Sequence, residues 1–490
     1  MTRELWALLW SYLYVGAVVV LGETALRMGL SREFARKIIH VGVGLWIFGT
    51  LALFRNPYMA AIPPLTAALG NYVIHRKQLL KAVEGAPDNL GTVYFPISFA
   101  ILTVLAWDTP QAVAGGVMAM TIGDAAAAMV GERWGRRGYT GVAGVRKSLE
   151  GSLAMLAATF VTLVLTLAGT GAVVGVIRLS GILVPAVAAL AAVVATCFEG
   201  LGAKGRDNLW VPLSVGAVIF LGYEVLPQVV VATLALGAVL ALVIGVVAGL
   251  RGSLTASGVL GAVLTGTLVF GLAGWVGGVA LVVFFVSSSL LSRLFRERKA
   301  TVEADYAKTG RRDFGQTLAN GGVAAAAALA FGITQDSRYL GVVLGALAAA
   351  NADTWATELG VLSPTWPRLI TRFQPVAPGT SGAVSLVGSL AALGGAVLVG
   401  VAAAVPDASW WVRLPWIAVA GLAGSLLDSL IGATVQGVYW CPTCAKETER
   451  TVHRCGTHTT LHRGFAWIAN DTVNFLATLA GGVIGFLLPI

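Results

Sequence analysis

Apolar residues run along this chain in blocks of about 20, separated by short polar connections, without the strict alternation of strands or the narrow stripe of a soluble amphipathic helix. Blocks of that length match the hydrocarbon thickness of a bilayer, and about fifteen candidate spans can be marked out. The alternating segments of a membrane β-barrel are not seen. The opening block, Met1 to Gly22, lacks a strong basic leader and a small-residue cleavage site, so it reads as a retained first span. The expected fold is all-α: a polytopic helical integral membrane protein.

Composition agrees with the pattern. The chain is 57% hydrophobic and 12% charged, about half the roughly 25% charged content of soluble domains, and its mean hydropathy is +0.81. The net charge of +9 comes from basic residues clustered in connecting segments, among them Arg32/Arg36/Lys37, Arg133/Arg136/Arg137, Arg293/Arg296/Arg298 and Arg311/Arg312. The positive-inside rule assigns such segments to the cytoplasmic side, and attraction to anionic headgroups accounts for most of the remaining excess. No nucleic-acid-binding motif or basic domain accompanies the charge, so nucleic acid is excluded as a partner. A phosphate-bearing substrate stays open.

Two acids stand out against this background. Asp124 is the only charge between Gln111 and Gly131, and Asp353 is the only charge between Tyr339 and Thr357. Glu199 follows the first and Asp428 the second at the same interval of 75 residues. An ionised carboxylate is costly in hydrocarbon, and such residues usually face a polar cavity. The repetition extends to polar segments: Asp88-Asn89-Leu90-Gly91-Thr92 precedes Asp124, and Asp313-Phe314-Gly315-Gln316-Thr317 precedes Asp353. Two related transmembrane bundles in tandem are expected, 1–227 and 228–490, with a boundary near Pro227.

Each half also carries a glycine and hydroxyl segment just ahead of a span: Arg146-Lys147-Ser148-Leu149-Glu150-Gly151-Ser152 and Pro378-Gly379-Thr380-Ser381-Gly382. Small residues at a helix entrance let backbone N–H groups approach an anion, and the helix dipole adds positive potential there. The spacing is not that of a Walker A loop, because Arg146 and not glycine precedes Lys147. Carboxylates beside phosphate-binding segments suggest Mg²⁺ carrying substrate phosphates, and phosphoryl transfer needs mainly positioning and charge neutralisation.

On these residues the first half resembles the phytol kinase/dolichol kinase family of membrane enzymes, which also has likeness to phosphatidate cytidylyltransferases. The resemblance rests on Ala35-Arg36-Lys37-Ile38-Ile39-His40, Gly91-Thr92-Val93-Tyr94-Phe95-Pro96, Gly123-Asp124, Lys147 to Ser152, and Asp207-Asn208-Leu209. The second half resembles the phytyl-phosphate kinase group, on Arg311-Arg312-Asp313, Gln316 with Asn320-Gly321-Gly322, Asn351-Ala352-Asp353 through Glu358, Gly379-Thr380-Ser381, and Asn470-Asp471-Thr472-Val473-Asn474. The first resemblance implies transfer of a nucleotide γ-phosphate, usually from CTP, with ATP the alternative donor, to an isoprenoid alcohol. The second implies conversion of the prenyl monophosphate to the diphosphate, and the basic segments beside both sites are expected to set them facing the cytoplasm.

Roles follow from the chemistry together with the resemblance. Asp124 would hold Mg²⁺-nucleotide, Lys147 and Ser148 phosphates, with Glu150 in the same segment, and Asp207/Asn208 metal or nucleotide, while Asp88 could deprotonate the alcohol. Arg36, Lys37 and His40 either contact phosphate or mark the end of a span. In the second half Asp353 and Glu358 would hold metal, Gly379, Thr380 and Ser381 would cradle phosphate, and Asn470, Asp471 and Asn474 would complete the site. Asp313, Gln316 and Asn351 join them through the resemblance, and Glu199 and Asp428 are expected to line the sites.

Between the late spans lies a loop, 440–463, with Cys441, Cys444, His453 and Cys455 in a pattern that could ligate Zn²⁺, and with His458 and His462 as spares. Reduced cysteines without metal are the alternative. Two other functions fit parts of the pattern: a CTP-dependent lipid cytidylyltransferase, and a secondary transporter with Gly-rich discontinuous helices. The choice of prenol and the oligomeric state stay open.

Overall fold

A backbone in hydrocarbon must satisfy its own hydrogen bonds, so the apolar blocks fold as helices. A computed structural model of the chain describes residues 2–77, 89–140, 145–174, 181, 183–202, 204–294 and 311–487. Among these, eleven helices are long and apolar enough to cross a membrane by length and composition, and two further apolar helices are shorter. That is fewer than the sequence pattern marks out: Gly91–Leu105 and Ala256–Leu272 fall short of full length, and Pro57–Lys77 and Arg338–Gly360 have the length but are not among the eleven. The protein is a multi-pass helical membrane protein with small β-hairpins in its connections.

Backbone contacts group the chain into two compact units, Met1–Ala235 and Leu236–Ile490. Unit 1 contains α1 (Thr2–Arg27), α2 (Arg32–Leu53), α3 (Pro57–Lys77), α4 (Gly91–Leu105), α5 (Pro110–Met118), α6 (Ala125–Trp134), α7 (Leu149–Val174), α8 (Leu183–Leu201) and α9 (Asp207–Phe220). A π-helical segment, Ala119–Asp124, joins α5 to α6 in one continuous rod. Its core gathers Val113, Val117, Met120, Met155, Leu163, Val211 and Ile219. The rod is the most deeply buried of the candidate spans. Before α7, β1 (Gly138–Thr140) pairs antiparallel with β2 (Arg146–Ser148).

The unit boundary falls inside α10 (Gln228–Leu250). Unit 2 continues with α11 (Ala256–Leu272), α12 (Gly274–Leu294), α13 (Phe314–Thr334), α14 (Arg338–Gly360), α15 (Leu386–Ala404), α16 (Leu414–Thr434) and α17 (Asn470–Phe486). Helix α14 is the hub, packed against α12, α13, α15, α16 and α17. Its alanine-rich middle, Ala346 to Ala350, is buried, and close approach comes from small residues, as is usual between membrane helices. A methyl group on Gly345 would overlap the carbonyl of Gly481, and one on Gly485 that of Gly341. The helix starts are capped by hydroxyl and acid side chains: Thr255 accepts from Gly258 N–H, and Ser385 from Gly388 N–H, each at 3.1 Å. Short strands β3 (Arg368–Leu369) and β4 (Ala383–Val384) pair, and β5 (Val438–Cys441), β6 (Lys446–Thr448) and β7 (Thr460–Arg463) form a three-stranded antiparallel sheet in the order β6-β5-β7.

Candidate functional site

In unit 1 several helix ends converge on a cluster of charges. Gly44 has no side chain where a methyl group would overlap Thr121, so α2 lies close to the π-helical segment. Two turns upstream, Lys37 Nζ reaches Asp124 Oδ2 at 2.7 Å. His40 Nε2 lies 3.2 Å from the Met120 carbonyl, and its ring sits 4.8 Å from that of Phe95. Such π-helical turns recur at functional sites, and here Asp124 ends one.

From the opposite side, β2 delivers Lys147 to the end of α8 and the start of α9. Its Nζ donates to Glu199 Oε1 at 2.6 Å and to the Glu199 carbonyl, and lies 3.9 Å from Asp207 Oδ2. Asp124, Glu199, Asp207 and Lys147 all lie within electrostatic reach of one another. The cluster therefore holds three carboxylates and two ammonium groups. The sequence reading treats Asp124 as a lone charge, but the fold supplies Lys37 from 87 residues away.

Other expected residues of this half serve local structure. Ser148 Oγ accepts from Gly151 N–H at 3.1 Å at the start of α7. Glu150 accepts from the Arg136 and Arg137 N–H groups at 3.1 and 3.2 Å, closing the turn before β1. Arg36 pairs with Glu33 on its own helix at 2.6 Å. Asn208 sits beside the cluster, donating its N–H to Asp207 Oδ1 at 3.2 Å, while its carbonyl accepts from Ser98 at 3.1 Å. Asp88 lies outside the described residues.

Unit 2 has a polar cavity of about 940 Å³ at the level where α10, α12, α14 and α16 end and α11, α13, α15 and α17 begin. Its lining includes Gln316, Asp353, Glu358, Gly379, Thr380, Ser381, Asp428, Asn470 and Asn474. Among the described residues neither Asp353 nor Asp428 has a hydrogen-bond or cationic partner, and Asp428 Oδ2 is fully buried. Glu358 accepts from Ser292 Oγ at 2.6 Å.

The cavity also exposes Arg251, Arg293, Arg311 and Arg312. Arg312 lies 5.4 Å from the Phe284 ring centre, and burial pulls its guanidinium down to about 10, which leaves it charged at neutral pH. No acid among the described residues pairs with it. Unpaired carboxylates and an unpaired arginine in the lining of one cavity match a ligand that brings both signs of charge, as a metal-bound phosphate does. From the cavity an apolar pocket leads between α10, α11, α12 and α13, past Ile244, Phe270, Leu281 and Phe285, and it shares Arg312, Gln316 and Asn320 with the polar space.

Three expected residues do not line that cavity. Asn351 is fully buried and ties helices together, with Nδ2 donating to the Gly395 carbonyl at 2.8 Å and Oδ1 accepting from Ser287 at 3.0 Å. Asp313 caps α13 in a capping box with Gln316. Asp471, in the first turn of α17, is absent from the lining although Asn470 and Asn474 belong to it. Conversely, Arg251, Arg293, Arg312 and Glu449 line the cavity without having been picked out as site residues. Arg293 and Arg312 read as topology signals, Arg251 was not singled out, and Glu449 sits in the cysteine loop.

In that loop one ligand atom from each of Cys441, Cys444, His453 and Cys455 lies within 4.8 Å of all the others. His458 is not in the group, and His462 instead approaches Glu447 at 3.4 Å.

A family profile described as integral membrane protein DUF92 matches residues 239–482. Protein PGR of Arabidopsis thaliana is 35% identical over 254 residues, covering 47% of this chain and 86% of that protein. A phytol kinase of Synechocystis sp. is 33% identical over 213 residues, covering 43% of this chain and 88% of that protein. An uncharacterized membrane protein of Methanocaldococcus jannaschii is 31% identical over 234 residues, covering 47% of this chain and 84% of that protein. No solved structure matches.

Proposed function

The chain belongs to the DUF92 family of integral membrane proteins, and from that footing we propose that it is a membrane prenyl-alcohol kinase whose two units act in succession. Unit 1 phosphorylates the alcohol, and unit 2 phosphorylates the resulting monophosphate to the diphosphate, with CTP or ATP as donor. The relative named phytol kinase supports the first step. The observation that carries the reading is the unit 2 cavity, whose lining holds Asp353 and Asp428, without partners among the described residues, together with Arg312 and the Gly379–Ser381 segment.

Charge explains the division of labour within each site. In unit 2, Asp353, Asp428 and Glu358 would hold Mg²⁺, which when bound neutralises phosphate charge and orients the donor. Arg251, Arg293 and Arg312 engage the phosphates of donor and acceptor, and the small side chains at 379–381 let backbone approach them. The prenyl tail occupies the apolar pocket beyond Arg312, where burial stabilises it by about 0.8 kcal/mol per CH₂. An acceptor phosphate oxygen attacks the donor γ-phosphorus, and the bond from that phosphorus to the bridging oxygen breaks, releasing nucleoside diphosphate.

In unit 1 the resting pairs Lys37–Asp124 and Lys147–Glu199 are rearranged by substrate. Triphosphate oxygens draw the two ammonium groups, and Asp124 and Asp207 are then free to bear Mg²⁺. The alcohol proton passes to a carboxylate of the site as the oxygen attacks. Basic residues flank both sites, which under the positive-inside rule puts them at the cytoplasmic face.

Purified protein in detergent with phytol or geranylgeraniol and either nucleotide tests the proposal. A prenyl monophosphate should appear first and a diphosphate after a lag, with nucleoside diphosphate formed in step. A CDP-lipid with pyrophosphate, or no nucleotide turnover with any prenol, contradicts it.

A further inference from the structure

Unit 2 carries one side-chain cluster that phosphoryl transfer does not use. Cys441 ends β5, and Cys444 sits in the turn to β6, whose register pairs Cys441 with Lys446. His453 and Cys455 occupy a second tight turn, where the His453 N–H donates to the Thr457 carbonyl at 3.0 Å and the Gly456 N–H to the His453 carbonyl at 2.9 Å. Both turns double back through left-handed residues, Ala445 (φ 50°) and Gly456 (φ 83°). Cys441 and His453 are buried. Cys441 and Cys455 bring their sulfurs to 3.6 Å, and His453 Nδ1 lies 3.2 Å from Cys455 Sγ. Thiolates about 2.3 Å from a tetrahedral zinc stand about 3.8 Å apart, so the donor set has the size and the softness for that ion. An oxygen-seeking cation would find no ligand among these atoms.

The same sheet reaches into the cavity. Glu449 follows β6 directly, and its Oε1 accepts from Ser381 Oγ at 3.0 Å and from Gln436 Nε2 at 2.9 Å. At the end of β7, Arg463 donates to the carbonyls of Gly432 and Ala433 at 3.0 and 3.1 Å. Glu449, between the two turns, and Arg463, beyond the second, thus hold one side of the cavity, while the turns themselves meet at the cluster and at the Thr443–Thr457 hydroxyl contact of 2.9 Å.

We infer that Cys441, Cys444, His453 and Cys455 bind one Zn²⁺ as a structural centre, and that this centre holds Glu449 against the 379–382 segment of the cavity. Binding exchanges three thiol protons for the ion, with His453 neutral. Metal binding does not depend on the kinase reading, and its test reads metal content and backbone exchange, not activity.

Full-length protein purified in detergent, without a polyhistidine tag or chelator, should contain one zinc per chain by elemental analysis. Cys444→Ser and Cys455→Ser should each lose most of it, whereas Cys197→Ser, at a buried cysteine outside the cluster, should keep it. Replacement by Co²⁺ should give the visible ligand-field spectrum of a tetrahedral thiolate site. Stripping the wild-type protein with a chelator should raise hydrogen exchange across 446–463 and 379–382, and added Zn²⁺ should reverse both. Absence of zinc after Zn²⁺ is offered to reduced protein, a Cys441–Cys455 disulfide in fresh preparations, or full zinc content in both serine variants overturns the centre. Unchanged exchange at 379–382 on stripping overturns the link to the cavity. Should the serine variants fail to fold, the stripped and reloaded wild type decides both points.

Discussion

Lys147 is the residue on which the unit 1 cluster turns, because among the described residues it is the cation that pairs with Glu199, and it also approaches Asp207. Glu199 and Lys147 are both largely buried, with side-chain exposures of 11% and 14%. Removing one member of such a pair leaves a charge without compensation, at about 3–5 kcal/mol. Lys147→Met should therefore lower the thermal midpoint markedly as well as abolish formation of monophosphate. Adding Glu199→Gln to it should restore most of the stability and none of the activity. Equal destabilisation in the single and double variants, read by thermal unfolding in detergent, would show that the pair is not what holds these helix ends. At this scale the sequence made the acids legible, since Asp124 and Asp353 each stand alone in an apolar run. It did not reveal which acids acquire a partner. Lys37 and Asp124 are 87 residues apart, and the fold joins them where α2 passes the π-helical segment, closely at Gly44 and through His40.

Among elements, α14 and α17 fix the geometry of the unit 2 cavity, one carrying Asp353 and Glu358 and the other Asn470 and Asn474. Their contact is made by Gly341 and Gly345 on one side and Gly481 and Gly485 on the other. Gly345→Val should push the helices apart and cost about 1–3 kcal/mol through overpacking, together with loss of diphosphate formation. Val at Gly322, where a methyl group meets nothing closer than 3.9 Å, should be tolerated, and equal thermal midpoints for the two variants would remove the role given to this contact. Ser385 and Asp313 each cap a helix, a role that the sequence reading does not assign to either. The same residues show where reading goes astray: polarity beside a candidate site can serve the helix. Asp313 caps α13, Ser148 caps α7, and Asn351 ties α14 to α12 and α15. A short polar side chain has the same one-dimensional signature whether it faces a cavity or satisfies a neighbouring backbone.

Over the whole molecule, hydropathy and length identified a helical membrane protein because the bilayer allows few other backbones. Counting the spans was harder, since short helices such as α4 and α11 read as full ones in a continuous apolar sequence. The cavity arginines were hidden by their second role, because Arg293 and Arg311 sit where topology also places positive charge. The account stands or falls on whether Asp353 serves the second of two phosphorylations. Product analysis of Asp353→Asn protein with a prenol and nucleotide measures this directly, beside Asp124→Asn and the wild type. The account predicts that Asp353→Asn accumulates prenyl monophosphate with diphosphate reduced at least about a hundredfold, the scale expected when a charge-stabilising group is removed, whereas Asp124→Asn makes neither from the alcohol but converts added monophosphate. Wild-type diphosphate formation by Asp353→Asn, or loss of only the first step in both variants, would contradict it.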